Sequence, residues 1–209
     1  MPVFVAYYRR ALPRFQKVRE LIFGQLAIGK PRIVNTVLYE PHHPRYHDPA
    51  KLPWHVVPEI SGGGVFMDIG CHTLDILDWL FGPIVAVNGQ ASNQLGAYGV
   101  EDGVAMSFAF GNGMLGTGIW NFDSFKRHDQ VEVVGDQGRI TFATFGDGLV
   151  HLSVGGFTVH WHATGERVPA GCRDGVAGCA KHTLDPYHHL KRWTFDNCLL
   201  TLKSDLGLK

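Results

Sequence analysis

Two stretches in the first half of the chain have apolar residues at helical spacing. Between residues 12 and 23 the apolar positions are 12, 15, 18, 21 and 22, and Gly24 follows as a stop signal. Between residues 68 and 81 a set of leucines and a tryptophan can face a core, and Gly82-Pro83 ends the stretch. The pattern predicts helices over 12–23 and 68–81.

Short apolar runs separated by glycine turns dominate the chain after residue 83. Alternation of polar and apolar residues between such turns is typical of an antiparallel meander. We expect an α+β fold in which an open, mostly antiparallel sheet of roughly six to eight strands is covered on one face by helices. The predicted strands are a β-branched run at 33–39 and the runs 84–91, 103–110, 114–122, 130–134, 139–145, 149–154 and 157–161.

Composition and residue pattern divide the chain into three parts. Residues 1–10 contain an apolar segment, 2–8, which is predicted to be a strand left from a sheet that lies upstream. Residues 11–162 are predicted to form the α+β domain, in which 41–58, with five prolines and four histidines, should be a loop. Residues 163–209 form a divergent C-terminal segment with a predicted helix over 185–207.

Charge and cysteine content narrow the classes of function. Nineteen basic and nineteen acidic residues give a formal net charge of zero, so no basic surface is expected to bind nucleic acid or a membrane. The apolar runs are too short to span a bilayer. Four cysteines in 209 residues do not form a disulfide framework, and we expect a cytoplasmic protein.

The predicted helix over 68–81 carries the clearest candidate chemistry. Asp68, His72 and Asp75 stand at positions i, i+4 and i+7, so they share one face of the helix, directly after the glycine run 62–64. An imidazole beside a carboxylate is suited to proton transfer. The alternative is structural, with Asp68 near the helix N-cap and His72 in a satisfied core hydrogen bond. Asp75 could bond His72 or hold the helix to the sheet.

Two histidine-containing clusters are candidate metal sites. His42, His43 and His47 offer three imidazoles, but only Asp48 stands nearby as another ligand, and flanking prolines favour a loop. Cys172 and the cysteine and histidine that follow it lack the spacing of a zinc pair. We therefore predict no metal site.

Four segments in order resemble the C-terminal domain of the Gfo/Idh/MocA oxidoreductases, the family of glucose–fructose oxidoreductase and inositol dehydrogenase. The resemblance covers about residues 3 to 155, and the glycine run with Asp68, Gly70, His72 and Asp75 is its most specific part. The matching segments are Val5–Arg10 with Pro13 and Phe15, Gly62–Trp79, Glu101-Asp102 with the two strands after it, and Val133–Ile140.

The resemblance implies a fold, an activity and site residues. It implies a dihydrodipicolinate-reductase-like domain that binds substrate and mediates oligomerisation in an NAD(P)-dependent oxidoreductase for a sugar, polyol or related diol. His72 would be the acid/base, and Asp68 would bind a substrate hydroxyl or orient the ring. Arg10, Trp120 and Asn121 would lie on the substrate side, with a core position as the alternative for Trp120. The uncovered sheet face would pack on a second subunit.

The resemblance also implies a cofactor domain, and these 209 residues do not show its motifs in the expected context. No Glu-Lys-Pro occurs in the sequence, and the one G-x-G-x-x-G, Gly111–Gly116, follows a predicted strand but leads into another strand and not into a helix. We therefore expect this chain alone to bind no cofactor. In the intact enzyme a Rossmann domain would hold NAD or NADP, and that domain is either a separate partner or lost. Without it the chain is expected to be inactive. The alternative is a non-catalytic ligand-binding or scaffolding module, or a truncated gene product.

Overall fold

A computed structural model describes residues 7–167, and these form helices and one sheet. A 3-10 turn (Tyr8–Ala11) leads into helix α1 (Pro13–Arg19), which continues as a π-helical turn (Glu20–Gly24). Short helix α2 (Pro58–Ser61) precedes the long helix α3 (Val65–Phe81). Leu12, Val57 and Gly64, the residues before these helices, have no side-chain capping bond, and proline stands at the start of α1 and α2.

The eight strands within residues 7–167 belong to one open sheet in the order β2-β3-β4-β1-β5-β6-β7-β8. Every neighbouring pair is antiparallel except β1 and β4, which run parallel. This confirms the predicted α+β class with an open, mostly antiparallel sheet. The strands are β1 (Pro31–Tyr39), β2 (Ile84–Ser92), β3 (Gly103–Phe110), β4 (Leu115–Asn121), β5 (His128–Gly135), β6 (Gly138–Phe142), β7 (Val150–Val154) and β8 (Phe157–Trp161).

The helices cover one face of this sheet, as predicted. Alternate residues of each central strand are buried, for example Val131 and Val133 of β5, which are both 0% exposed. Aromatic contacts join the layers: α1 packs Phe15 on Phe142 of β6, and α3 packs Phe66 on Trp120 of β4. The core therefore lies between the sheet and α1 and α3.

Helix α3 begins three residues before the predicted start. Its N-terminal residue is Val65, so Asp68 lies in the first turn and does not cap the helix. Gly64 is the N-cap and adopts an extended conformation. The predicted end is confirmed, because Gly82 is the C-cap and its φ of +88° is disfavoured for residues with a side chain.

The predicted meander is wrong at one place. Strand β1 lies between β4 and β5, although β4 and β5 follow each other in sequence. The connection between them crosses the end of β1, where Ser124 N–H donates to the Glu40 carbonyl and Glu40 N–H donates to the Asn121 carbonyl. In this position β1, which is rich in β-branched residues, forms hydrogen bonds to β4 along one edge and to β5 along the other.

The loop predicted over 41–58 contains three single 3-10 turns, Pro44–Tyr46, Pro49–Lys51 and Trp54–Val56. Each turn has a proline at its first position or just before it, because proline fixes φ near the helical value. The loop is therefore folded onto the domain, with Tyr46, His55 and Val56 buried.

Several predictions concern residues outside the described range. The predicted strand 2–8 lies mostly outside it, and its last residue, Tyr8, begins a 3-10 turn. The predicted helix over 185–207 and the cysteine-rich segment around Cys172 lie wholly outside it. Within residues 7–167, none of the helices combines the length and apolar character needed to cross a membrane.

Candidate active site

The glycine run before α3 makes room for a neighbouring backbone. The Gly64 amide donates a 2.7 Å hydrogen bond to the Glu101 carboxylate, which places a negative charge at the start of the helix. A Cβ on Gly64 would lie 2.2 Å from the Glu101 carbonyl oxygen. Gly62 ends α2 in the left-handed conformation. The run therefore packs against Glu101, so its Gly64 amide is not available to a phosphate.

The segment Tyr7–Arg10 lies along the face of α3 that carries the predicted site. The Tyr7 ring contacts the His72 ring edge-on, with centroids 5.8 Å apart. One turn further along α3, Asp75 binds Arg10. The structure thus confirms that His72 and Asp75 share a face, and it places this face against the residues before α1.

His72 is half-buried between two aromatic rings. Besides Tyr7, the Phe145 ring lies 6.2 Å from the imidazole centroid at 78°. Burial lowers the pKa of His72, the positive charge of Arg9 lowers it further, and the Asp68 carboxylate acts in the opposite direction. The net direction favours the neutral imidazole at neutral pH, the form that accepts a proton.

Asp68 lies close enough to affect two imidazoles, His72 on its own helix and His55 from the loop 41–58. Burial lowers the pKa of His55, as does the charge of Arg45, while Asp68 raises it. His55 Nε2 lies 2.9 Å from the Tyr46 hydroxyl and 3.1 Å from Arg45 Nη2. Because arginine only donates, Nε2 is the acceptor and the ring is held by both neighbours.

The sequence pattern did not identify His55, Tyr7, Arg9 or Phe145 as site residues. His55 is one of four histidines in the loop, and nothing in their spacing singles it out. Phe145 follows β6 and reaches His72 only through the folded sheet. The signal that could have drawn attention to Arg9 is its place beside Arg10 in a segment that matched the family pattern.

A cavity of about 240 Å³ opens next to Phe145. Its lining combines aromatic and apolar surface with charged groups, so it has the mixed character of a site for a small polar molecule. Phe145 contacts both this cavity and His72. The lining residues are Tyr8, Arg9, Leu12, Pro13, Arg14, Phe145, Gly146, Asp147 and Ala163.

Arg10, predicted to bind substrate, is an ion-pair partner of Asp75. Arg10 Nε donates to Asp75 Oδ2 at 2.9 Å, and Nη2 donates to Oδ1. Asp75 is 1% exposed, and burial raises its pKa although Arg10 acts to lower it. The pair fixes α3 to the segment before α1, which is the structural role considered for Asp75.

Trp120 and Asn121 are not brought to this face of α3. Trp120 is fully buried against Phe66, and its indole N–H has no hydrogen-bond partner among the described residues. Asn121 points to the other side of β4, where its side-chain oxygen accepts bonds from Asp123 N–H and the Ser124 hydroxyl. The geometry favours the core alternative for Trp120 and a turn-capping role for Asn121.

Cys71 precedes His72 but is not suited to act as a nucleophile. Burial raises the pKa of its thiol to about 11, and the charges of Asp68 and Asp75 act in the same direction. The thiol therefore stays protonated and donates to the Asp68 carbonyl at 3.2 Å.

No group of three or more His, Cys, Asp or Glu side chains within residues 7–167 is arranged to hold a metal ion. The His42 and His47 rings stack with centroids 4.6 Å apart. In the same part of the chain, the ring nitrogens of His42 are buried without a hydrogen-bond partner among the residues that the structure describes. Elsewhere, on α3, the neutral form of His72 beside Asp68 and Arg9 can take part in acid–base chemistry.

Comparisons with known proteins relate this chain to a family of oxidoreductases. Residues 15–141 match the model of the GFO/IDH/MocA C-terminal domain. The chain is 30% identical over 162 residues to an oxidoreductase, P35, of Formosa agariphila, a match that covers 77% of this chain and 49% of that protein. It is 30% identical over 116 residues to 1,5-anhydro-D-fructose reductase of Ensifer adhaerens, covering 54% of this chain and 35% of that protein.

Solved structures share the fold. A levoglucosan dehydrogenase in complex with NADH and levoglucosan superposes with a TM-score of 0.65 at 23% identity, covering 81% of this chain and 52% of that one. The match to this chain spans about half the length of the Formosa agariphila oxidoreductase and about a third of the Ensifer adhaerens reductase. The matched region contains α3 and most of the sheet, and the chain belongs to the Gfo/Idh/MocA oxidoreductase family as its C-terminal domain.

Proposed function

We propose that this chain is the substrate-binding and oligomerisation domain of an NAD(P)-dependent oxidoreductase that acts on a sugar, polyol or related diol. The observation that carries the proposal is His72, held neutral between Tyr7 and Phe145 with Asp68 and Arg9 as its charged neighbours. The names of two relatives, a 1,5-anhydro-D-fructose reductase and a levoglucosan dehydrogenase, support a carbohydrate substrate.

In this proposal His72 handles the hydroxyl proton. Oxidation of an alcohol removes a proton from oxygen and a hydride from carbon, and the neutral imidazole accepts the proton. Asp68 stabilises the imidazolium that results, because its charge raises the pKa of His72. In the reduction direction the same imidazolium returns the proton to the carbonyl oxygen. The cavity beside Phe145, with Arg9 and Asp147 in its wall, offers charged groups to substrate hydroxyls.

We expect the described residues of this chain to bind no dinucleotide. The Gly64 amide at the start of α3 is already bonded to Glu101, and a negative carboxylate there disfavours a phosphate. A nucleotide-binding domain outside these 209 residues would supply the hydride acceptor. Isothermal titration of the purified chain with NADH and NADPH should therefore show no binding in the micromolar range. Micromolar binding would show that this part of the proposal is wrong.

The catalytic role is tested in an enzyme that combines this chain with a nucleotide-binding domain of the family. His72→Ala should lower kcat by about 10²–10⁴, the contribution expected of a general acid–base group. His128→Ala, which removes an exposed imidazole from the uncovered sheet face, is the matched control and should leave turnover unchanged. Undiminished turnover in His72→Ala would remove the assigned role and favour the non-catalytic ligand-binding or scaffolding alternative.

Asp68→Asn separates the proposed role of Asp68 from simple support of the fold. The substitution removes a negative charge that raises the pKa of His72. The acid limb of the kcat/KM profile for oxidation should therefore move to lower pH, since the base stays neutral further into acid. An unmoved limb would place Asp68 outside the proton transfer.

The uncovered face of the sheet supports homo-oligomerisation. Leu115 and Ile119 of β4 are 58% and 44% exposed there, beside Ile33 and Val37 of β1 in register. Apolar side chains grouped on a flat surface favour burial against another surface. We propose a homodimer or higher oligomer through this face, in the cytoplasm, where free cysteines such as Cys71 stay reduced.

A further inference from the structure

The β7–β8 hairpin carries two histidines directly opposite each other. His151 of β7 is in register with His160 of β8, and both side chains are half-buried. Residues facing each other across antiparallel strands have Cβ atoms about 5 Å apart, close enough for both rings to reach one point between them. The hairpin lies far in sheet order from β1 and β4, next to β6.

The two rings converge through the same type of nitrogen. His151 Nδ1 lies 2.6 Å from His160 Nδ1, and the ring centroids are 4.7 Å apart at 85°. At this distance one Nδ1 donates and the other accepts, so a single proton lies between the two imidazoles. Two imidazole nitrogens that share one proton can both bind a metal ion that replaces that proton.

The surroundings are polar and do not place a charge directly on the pair. Thr141 of β6 is the other in-register neighbour of His151, and the Ser153 and Thr158 hydroxyls bond to each other at 3.1 Å along the same face. The nearest charges on this face in the strand register are Glu132 and Arg139, which bond to each other at 3.2 Å. Burial, and then His160, lower the pKa of His151, so its neutral form is favoured.

We propose that His151 and His160 form a binding site for a divalent transition-metal ion of the zinc class, with water completing the coordination. Imidazole nitrogen suits Zn²⁺, Ni²⁺ and Cu²⁺ and does not suit Mg²⁺ or Ca²⁺. Two Zn–N bonds of about 2.0–2.1 Å at a near-tetrahedral angle need nitrogens about 3.3 Å apart. The rings reach this separation from 2.6 Å by small side-chain rotations, and the shared proton leaves as the ion binds.

Such an ion would cross-link β7 and β8 at the end of the sheet. Among the described strands β8 is the last in sheet order and pairs only with β7, so a bond from His160 to His151 through the metal adds a cross-link to a terminal pair. An ion that binds only the folded hairpin raises the stability of the chain in proportion to the logarithm of its concentration above Kd. The site is on the opposite side of the sheet from α3 and is independent of the proposed enzymatic role.

The test is a Zn²⁺ titration of the 209-residue chain, purified without a polyhistidine tag. Isothermal titration at neutral pH should show binding with Kd on the order of 1–100 μM, the range expected for half of a four-ligand site. His151→Ala with His160→Ala should remove one equivalent of bound Zn²⁺. His128→Ala removes a histidine of the same face whose ring neighbour is Tyr39 and not another histidine, and this variant should bind like the wild type. Zn²⁺ should also raise Tm in the wild type and in His128→Ala but not in the double variant.

The proposal would be overturned by no difference in Zn²⁺ stoichiometry between the wild type and the double variant, or by no Zn²⁺ binding by the wild type. If the alanine double variant does not fold, His151→Gln with His160→Gln keeps side chains of similar size and answers the same question. NMR chemical shifts of the imidazole protons give a second readout, because Zn²⁺ should move the signals of His151 and His160 before those of other histidines. Shifts confined to His42, His43 and His47 would also contradict the proposal.

Discussion

At the scale of the residue, the charges on either side of His72 should tune its titration in opposite directions. Arg9 lowers the pKa of His72 and Asp68 raises it. We therefore expect Arg9→Ala to raise the pKa of His72 and Asp68→Asn to lower it, measured by NMR titration of the imidazole protons in the folded chain. Arg32→Ala, which removes a charge from a surface pair with Asp136, should leave the His72 titration unchanged. A fall in the pKa of His72 on removal of Arg9 would contradict the described geometry.

The lowered pKa also gives His72 a defined effect on stability. An unfolded histidine titrates near pH 6.5. As the pH falls from there toward the lower pKa of the folded state, the unfolded chain takes up a proton that the folded chain does not, so the free energy of unfolding decreases. His72→Gln should reduce this decrease, which chemical denaturation between neutral and acidic pH measures. An equal decrease in both proteins would show that His72 does not contribute.

The buried ion pair predicts a second pH-dependent effect. Arg10→Met would leave the buried carboxylate of Asp75 uncompensated, and we expect a loss of about 3 kcal/mol in the free energy of unfolding at neutral pH. Without Arg10 the pKa of Asp75 in the folded state rises further above its unfolded value. The loss should therefore shrink as the pH falls through that raised pKa, because protonation removes the buried charge.

Arg32→Met is the matched control for the ion pair. Arg32 and Asp136 are 55% and 39% exposed, so water can solvate the charge that remains, and we expect a change within about 0.5 kcal/mol. Denaturant unfolding of both variants gives the comparison. Equal losses in the two variants would show that burial of Asp75 has no energetic consequence.

The sequence supported the prediction of a shared face for Asp68, His72 and Asp75, because residues on one helix have fixed angular spacing. It could not identify what each side chain would contact. Arg10 and Asp75 are 65 positions apart, and their pairing depends on how the segment before α1 crosses α3. Similarly, whether Trp120 faces substrate or core is decided by Phe66 on another element.

At the scale of the element, Gly82 sets how α3 turns into β2. Its φ of +88° and ψ of −175° lie in a region essentially restricted to glycine. A Cβ at this position would meet nothing within 4 Å, so the cost of Gly82→Ala is that of the backbone alone, about 1–3 kcal/mol. Gly111→Ala, whose Cβ would make an ordinary 3.6 Å contact with Val85, should be close to neutral. Denaturant unfolding separates the two, and equal effects would rule out backbone strain as the cause.

The sequence predicts which segments form strands and helices better than it predicts which strands lie next to each other. Glycine turns and alternation define each strand locally, and eight of the predicted strands are present within a few residues of their bounds. The place of β1 between β4 and β5 is decided by contacts between residues distant in sequence, such as the pairing of Thr36 on β1 with Gly118 on β4. The early start of α3 depends likewise on Glu101, which satisfies the Gly64 amide from 37 residues away.

At the scale of the whole molecule, the sheet has one covered and one uncovered face. The helices bury the side with Trp120, Val131 and Val133, while the other side presents apolar residues on β1 and β4 around a polar pair, Thr117 and Asn35. An isologous contact would place the same strands of two copies against each other and bury the apolar residues of both. The fold thus separates the proposed catalytic face, on α3, from the proposed subunit interface.

Charge placed on the uncovered face should therefore separate the subunits. We expect the wild-type chain to sediment as a dimer or higher oligomer and Leu115→Lys with Ile119→Lys to sediment as a monomer, because a two-fold contact would bring the new charges of both copies together. Phe125→Lys is the matched control: Phe125 is fully exposed in the turn after β4, so the oligomer should persist. Circular dichroism establishes that both variants are folded. A wild-type monomer at every concentration tested, or a lysine double variant that remains associated, would show that this face is not the interface.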